Sequence, residues 1–202
     1  MSAANILTEP DVITIGQFLE MDLPDNCEWH LVHGTVVSVT HPRFPHSRVQ
    51  NNIQILLLGM HEAGRVLVFS ELPYELDRTN GHQADVAVLT AERSDATVKA
   101  GHGIVKGAPE LIVEVMSRSN LPYDVDELER ECLTTGCMMF WKVVIKHRKR
   151  LDFGTPDYSI RVGRMVEGCL QHEIYQLNDL IPVELPGISG KIAVNDIFAG
   201  VL

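Results

Sequence analysis

Apolar positions along the chain fall into two rhythms, and the denser one marks its centre. Gln83-Ala84-Asp85-Val86-Ala87-Val88-Leu89 and Pro109-Glu110-Leu111-Ile112-Val113-Glu114-Val115-Met116-Ser117 are both rich in Val, Ile and Leu. Such nearly unbroken runs predict strands covered on both faces. Asp85 and Glu114 each set a carboxylate among apolar neighbours. An isolated ionised carboxylate there is costly unless a cation or dense hydrogen bonding compensates it. Two readings follow. Side by side, the strands would aim both carboxylates at one divalent ion, and Mg²⁺ takes hard oxygen ligands of this kind. Alternatively, Asp85 opens its strand as a turn residue and Glu114 ends in a salt bridge. The pattern alone leaves both open.

The looser rhythm supplies the other elements. Ile13 to Met21 has helical spacing with Thr14 as its N-cap. Trp29 to Thr40 predicts two strands that reverse near Gly34, with His30 and His33 on opposite faces of an extended strand. Ser47 to His61 places Val49, Ile53, Leu56, Leu57 and Met60 on one stripe, a helix that packs on a sheet and stops at Gly64. His46 lies at its start. Arg65 to Phe69 and Leu72 to Leu76 read as short strands, followed by the turn Asp77-Arg78-Thr79-Asn80-Gly81 with its Asn-Gly hairpin signal. Asp85 then falls near the beginning of the last strand of an antiparallel meander. Ala91 to Gly107 reads as a short helical turn and a loop.

Tyr123 to Leu133 predicts a helix with an acidic front of Asp124, Asp126 and Glu127, ended by Gly136. Met138 to Ile145 is another buried strand. The basic run Lys146-His147-Arg148-Lys149-Arg150 forms the turn after it, either a solvated hairpin tip or a phosphate contact. Strands continue through Leu177 and Leu180 to Gly187, and a short helix closes at Val194 to Phe198. This order predicts a mixed α/β sheet flanked by helices, with additional antiparallel hairpins. The expected organisation is one domain over 1–202, with a core near 28–155 and C-terminal strands and helix over 156–202.

Charge and cysteine content narrow the function. A formal net charge of −10 argues against a protein that simply coats DNA, since that binding comes from Lys and Arg neutralising phosphates. It leaves room for a metal-dependent nuclease, whose centre is itself acidic. The four cysteines, Cys27, Cys132, Cys137 and Cys169, show no CxxC pairing and read as free thiols. Met1 to Pro10 has neither a basic start nor an apolar core, and no run suits a membrane span, so the expected location is cytoplasmic.

Several fragments, in order, carry a resemblance. They are LTEPDVITIGQFLEM, WHLVHG, PHS before the helix, NGHQADVAV, GAPELIVEVMSRS, GCMMFW and LIPVELPGISGKIAVNDIF. Together they resemble a large bacterial family assigned as restriction endonucleases, the Uma-type proteins with a PD-(D/E)XK core. The resemblance implies a restriction-endonuclease-like fold and metal-dependent hydrolysis of DNA phosphodiesters. It implies Mg²⁺ or Mn²⁺ on Asp85, Glu114 and the carbonyl of Val115; His46 and Gln83 are this chain's own candidates for the catalytic set. His46 would serve as a base near neutral pH. Arg118, Lys142, Lys149 and Arg150 would contact nucleic acid, and a homodimer would match two-fold DNA.

The chain departs from the family pattern at telling places. Ala84 stands for the proline before the aspartate, and His30 stands for an early acidic residue. Met116 and Leu128 occupy the two positions where the catalytic lysine is expected, and Cys132 replaces a tyrosine. Lys142 and Lys106 are the alternative cations. The competing expectation is therefore a catalytically inactive nuclease-fold protein acting as a binding or regulatory module.

Overall fold

The computed structural model describes residues 12–24, 28–39, 43–101, 103–116, 122–145 and 156–202. Local chemistry explains where its elements begin and end. Helix α1 (Ile15–Leu19) opens on a capping box: Thr14 Oγ1 accepts the Gln17 N–H, and the Gln17 side chain accepts the Thr14 N–H at 2.8 Å. Strands β1 (Glu28–Val32) and β2 (Thr35–Val39) pair antiparallel across the His33-Gly34 turn. Gly34 has φ +77, and a Cβ there would lie 2.1 Å from Val12 Cγ1, so the turn requires glycine. Helix α2 (Phe44–Leu58) starts earlier than its apolar stripe suggests, because Pro45 suits the first turn. It ends at Gly59 rather than Gly64.

The two short strands expected before Asp77 are one strand, β3 (Val66–Asp77), paired with β4 (Asn80–Thr90). The turn between them also differs from the Asn-Gly expectation. Asp77 Oδ1 accepts both the N–H and the hydroxyl of Thr79, which closes the turn at Arg78-Thr79. Asn80 and Gly81 already belong to β4, and Asp85 sits mid-strand. Helix α3 (Ala91–Ala100) is longer than the expected helical turn and ends at Gly101 with φ +67. There follow β5 (Val105–Lys106), β6 (Leu111–Val115), α4 (Pro122–Thr134), β7 (Met139–Val144), β8 (Ser159–Val166) and β9 (Cys169–Tyr175). The hairpin β10 (Leu180–Leu185) and β11 (Ile188–Ala193) and the short α5 (Val194–Ile197) complete the described chain.

The main sheet runs β2-β1-β4-β6-β7-β8-β9, with β3 beside β4 and β5 beside β3. It is mixed: β6 and β7 are parallel, with α4 in the crossover between them, while β4 and β6 are antiparallel. Each face has its own core. On one, Val49, Ile53 and Leu57 of α2 meet Val86, Val88, Val113 and Trp141, with Ile181, Ile192 and Phe198 alongside. On the other, Val125, Cys132 and Leu133 of α4 cover Ala87, Ile112, Phe140 and Val144. Both faces of β6 and β7 are therefore buried, which is why their sequences read as continuous apolar runs. Asn52 locks α2 to the C-terminal segment by donating to the carbonyls of Ile197 and Ala199. Cys132 and Cys137 are buried free thiols and Cys169 is exposed. Among the described residues, no helix is long and apolar enough to cross a membrane.

Candidate active site on strands β4 and β6

The β4–β6 ladder runs through Val88↔Leu111, Ala87↔Ile112 and Val86↔Val113, which makes Asp85 and Glu114 the next residue on each strand. There the ladder opens. The Val115 N–H donates to Asp85 Oδ2 at 2.7 Å instead of to a β4 carbonyl, and the Asp85 carbonyl accepts Gln50 Nε2 from α2 at 2.8 Å. The β3 side is irregular too: pairing holds at Ser70↔Val86 and Leu72↔Ala84, while Glu71 between them has φ +54. Asp85 is thus a mid-strand residue aimed by its surroundings, which removes the reading of it as a turn residue.

His46, in the first turn of α2, places Nε2 3.2 Å from Asp85 Oδ2. His46 Nδ1 is buried and takes no hydrogen bond among the described residues.

Glu114 is 9% exposed and shares strand parity with Ile112 and Met116, on the face that α4 covers. Its charge is felt by Tyr74, whose hydroxyl is pushed well above its usual range by burial first, then by Cys132 and Glu114. The register sets Glu114 beside Lys142 and Lys142 beside Arg161, so one carboxylate and two cations stand in a row across β6, β7 and β8. Lys142 is completely buried, and its ammonium donates to Asp126 Oδ1 on α4. Burial lowers the Lys142 pKa below 10.5, against the pull of Asp126. Arg161 donates to the same Asp126 oxygen and to Glu129, and His172 Nε2 lies 3.1 Å from Glu129. Gly163 gives Glu129 its space, since a Cβ there would stand 2.1 Å from Oε1.

The other expected residues scatter. Gln83 is half-buried in β4 opposite Pro73. Lys142, expected to touch nucleic acid, has instead no exposed surface, because its strand is covered on both faces. Lys106 is exposed on β5, which pairs with β3. Met116 is buried and Leu128 packs against the same apolar cluster, so both expected lysine positions are apolar. Arg118, Lys149 and Arg150 lie outside the described residues. Sequence reasoning missed Gln50, Arg161 and Glu129. The one local hint was Asp126 and Glu129, three apart on one helical face.

Comparison with known proteins agrees with this architecture. A crystal structure described as a putative nuclease from Anabaena variabilis superposes with a TM-score of 0.72 at 19% identity, covering 94% of this chain and 99% of that one. At that identity the likeness concerns the fold alone. No curated protein matches the chain. The model of the Uma2 family, described as "putative restriction endonuclease", matches residues 15–193, and the chain belongs to that family.

Proposed function

We propose that the chain is a metal-dependent nuclease that hydrolyses DNA phosphodiesters at Asp85 and Glu114. The observation that carries this reading is the opening of the β4–β6 ladder, where Asp85 is held by His46 and the Val115 N–H next to buried Glu114. The donor set is of the kind a hard divalent ion takes: the Asp85 carboxylate, anchored through Oδ2, the Glu114 carboxylate and the neutral oxygen of the Val115 carbonyl. These groups would hold Mg²⁺ or Mn²⁺, with water completing the shell. When bound, such an ion polarises the phosphate and acidifies a water molecule.

The protein's own groups account for the rest of the chemistry. His46, with Nε2 3.2 Å from Asp85 Oδ2, is the group beside the centre that would serve as the base for the attacking water. Lys142 brings a fixed positive charge beside Glu114, where it stabilises negative charge developing on phosphate. With a net charge of −10, approach to a polyanion relies on the bound cation. A homodimer on two-fold DNA is part of the proposal, and sedimentation measures it directly.

Nicking of supercoiled plasmid tests the proposal. Cutting should require Mg²⁺ or Mn²⁺, vanish in Asp85→Ala, and fall by about 10²–10⁴ in His46→Ala. Equal cutting by wild type and Asp85→Ala refutes it. A second reading, an inactive binding or regulatory module, draws on the apolar Met116 and Leu128 and on the engagement of Lys142 by Asp126. It expects no nicking, with DNA retardation in a gel that still responds to Asp85→Ala.

A further inference from the structure

We propose that His33, Glu127 and Glu131 form a second divalent-metal site, of Zn²⁺ type, tying the β1–β2 turn to α4. One ligand atom from each of these residues lies within 4.8 Å of the others. Ligands about 2.1 Å from a tetrahedral zinc ion lie about 3.4 Å apart, close to the 3.6 Å between His33 Nε2 and Glu131 Oε1, so a closure of at most about 1.4 Å brings all three onto a single ion. The set shares no residue with the Asp85–Glu114 centre. Its chemistry also differs, because an imidazole nitrogen beside two carboxylates suits Zn²⁺ better than Mg²⁺.

The supports of the three side chains have the form that a metal site needs. Glu127 and Glu131 lie four apart on α4, where two like charges on one helical face repel unless a cation joins them. Glu131 Oε2 accepts Asn80 Nδ2 at 2.9 Å, which turns Oε1 toward His33 Nε2 at 3.6 Å. Asn80 Oδ1 is in turn 2.9 Å from His82 Nε2. An amide that fixes one carboxylate oxygen while the other faces the ion is a usual outer-sphere arrangement. His33 sits in a turn that does not drift, since the Gly34 N–H donates to Thr79 and the Gly34 carbonyl accepts the Ile13 N–H. The His33–Glu131 contact alone would do little, because an ion pair 54% and 31% exposed contributes weakly. Three protein ligands leave a position for water.

Calorimetric titration of Zn²⁺ into the metal-stripped full chain tests the site, beside an Asp85→Asn/Glu114→Gln double variant that lacks the other acidic pair. Expected is one-to-one binding that persists in the double variant and weakens at least about tenfold in His33→Asn and in Glu127→Gln. Asparagine keeps the turn, since it tolerates the φ of +46 found at residue 33. Glu127→Gln alters only a helix surface, so one informative variant remains folded, as circular dichroism will show. Zn²⁺ should also raise the melting temperature of wild type and double variant, but not of His33→Asn. The site is overturned by absence of saturable binding at micromolar Zn²⁺. It is equally overturned by binding that survives both His33→Asn and Glu127→Gln, or by binding lost in the double variant or in Cys169→Ser.

Discussion

Replacing Lys142 by methionine should make the protein more stable and less active. Lys142 has no exposed surface, and methionine approximates the length of its stem in a cluster that includes Phe140 and Val144. The loss is one charge-assisted hydrogen bond to Asp126, worth about 1.5–3 kcal/mol. Asp126 is not orphaned, because Arg161 still donates to it and its side chain is 42% exposed. Against that loss stand the desolvation of a buried ammonium and its repulsion by Arg161, the neighbour across β7–β8. Apolar replacement of a whole buried ion pair is often neutral or stabilising by about 1–4 kcal/mol, and the same sign is expected here because Asp126 keeps Arg161 and solvent as partners. The net expectation is a gain of about 1 kcal/mol in urea denaturation at neutral pH. Lys142→Ala should instead lose about 2–4 kcal/mol through the cavity it leaves. The pH dependence gives an independent sign. The folded state holds the Lys142 pKa below 10.5, so approaching that value the unfolded chain binds more protons and wild-type stability rises with pH. Lys142→Met should lack that rise. If Lys142 stabilises the reacting phosphate, nicking falls by about 10²–10³ while stability climbs. A methionine variant destabilised by more than about 2 kcal/mol would refute the reasoning, since the charge would then be required by the fold.

Gly163→Ala should cost about 2–4 kcal/mol in urea denaturation, because its Cβ displaces Glu129, 1% exposed, from Arg161 and His172; a cost under about 0.5 kcal/mol would show that Glu129 moves freely. For Asp126, burial acts to raise the pKa, but hydrogen bonds from Lys142 and Arg161 outweigh it and hold the carboxyl below 3.8. Its stabilising contribution is therefore present above pH 3.8 and lost as pH falls through the lower folded value, so the gap in urea midpoint between wild type and Asp126→Asn should shrink on acidification. His82 is depressed from 6.5 to about 3 by burial, then by His30 and His33. Between those values the unfolded chain takes up the proton and the folded chain does not, so stability falls as pH drops from 6.5 toward 3. His82→Gln should flatten that slope, and an unchanged slope would place the acid sensitivity elsewhere.

The covered strands and their acids were legible because their signal is local. The runs around Asp85 and Glu114 need no partner to read as buried, and Thr14 and Gly34 announce a cap and a turn by identity and position. Errors arose where one side chain overrode a pattern. Asn80-Gly81 is a strong hairpin signal, yet the Asp77 carboxylate closes the turn at Arg78-Thr79, and Asn80 turns inward to Glu131. Ser70-Glu71 looked like a break between two strands. It lies instead within one strand, whose register passes unshifted from Ser70↔Val86 to Leu72↔Ala84 with Glu71 at φ +54 between them.

The cation beside Glu114 could not be read from the sequence, for a different reason. Lys142 lies between Trp141 and Val143, so the run predicted a buried strand but not which neighbours would face the ammonium. Its environment is assembled from three distant segments: Glu114 by the parallel register, Arg161 by the antiparallel one, and Asp126 by the crossover helix. No spacing in the chain encodes that meeting. Loss of the lysine at Met116 and Leu128 therefore does not remove positive charge from this strand pair, since register restores it from β7. The consequence is asymmetric. A buried lysine is a weak device for stability, because an apolar residue would serve as well or better. Its presence next to Glu114 is better explained by a use for the charge itself, and a stabilised, inactive Lys142→Met protein would be the signature of that use.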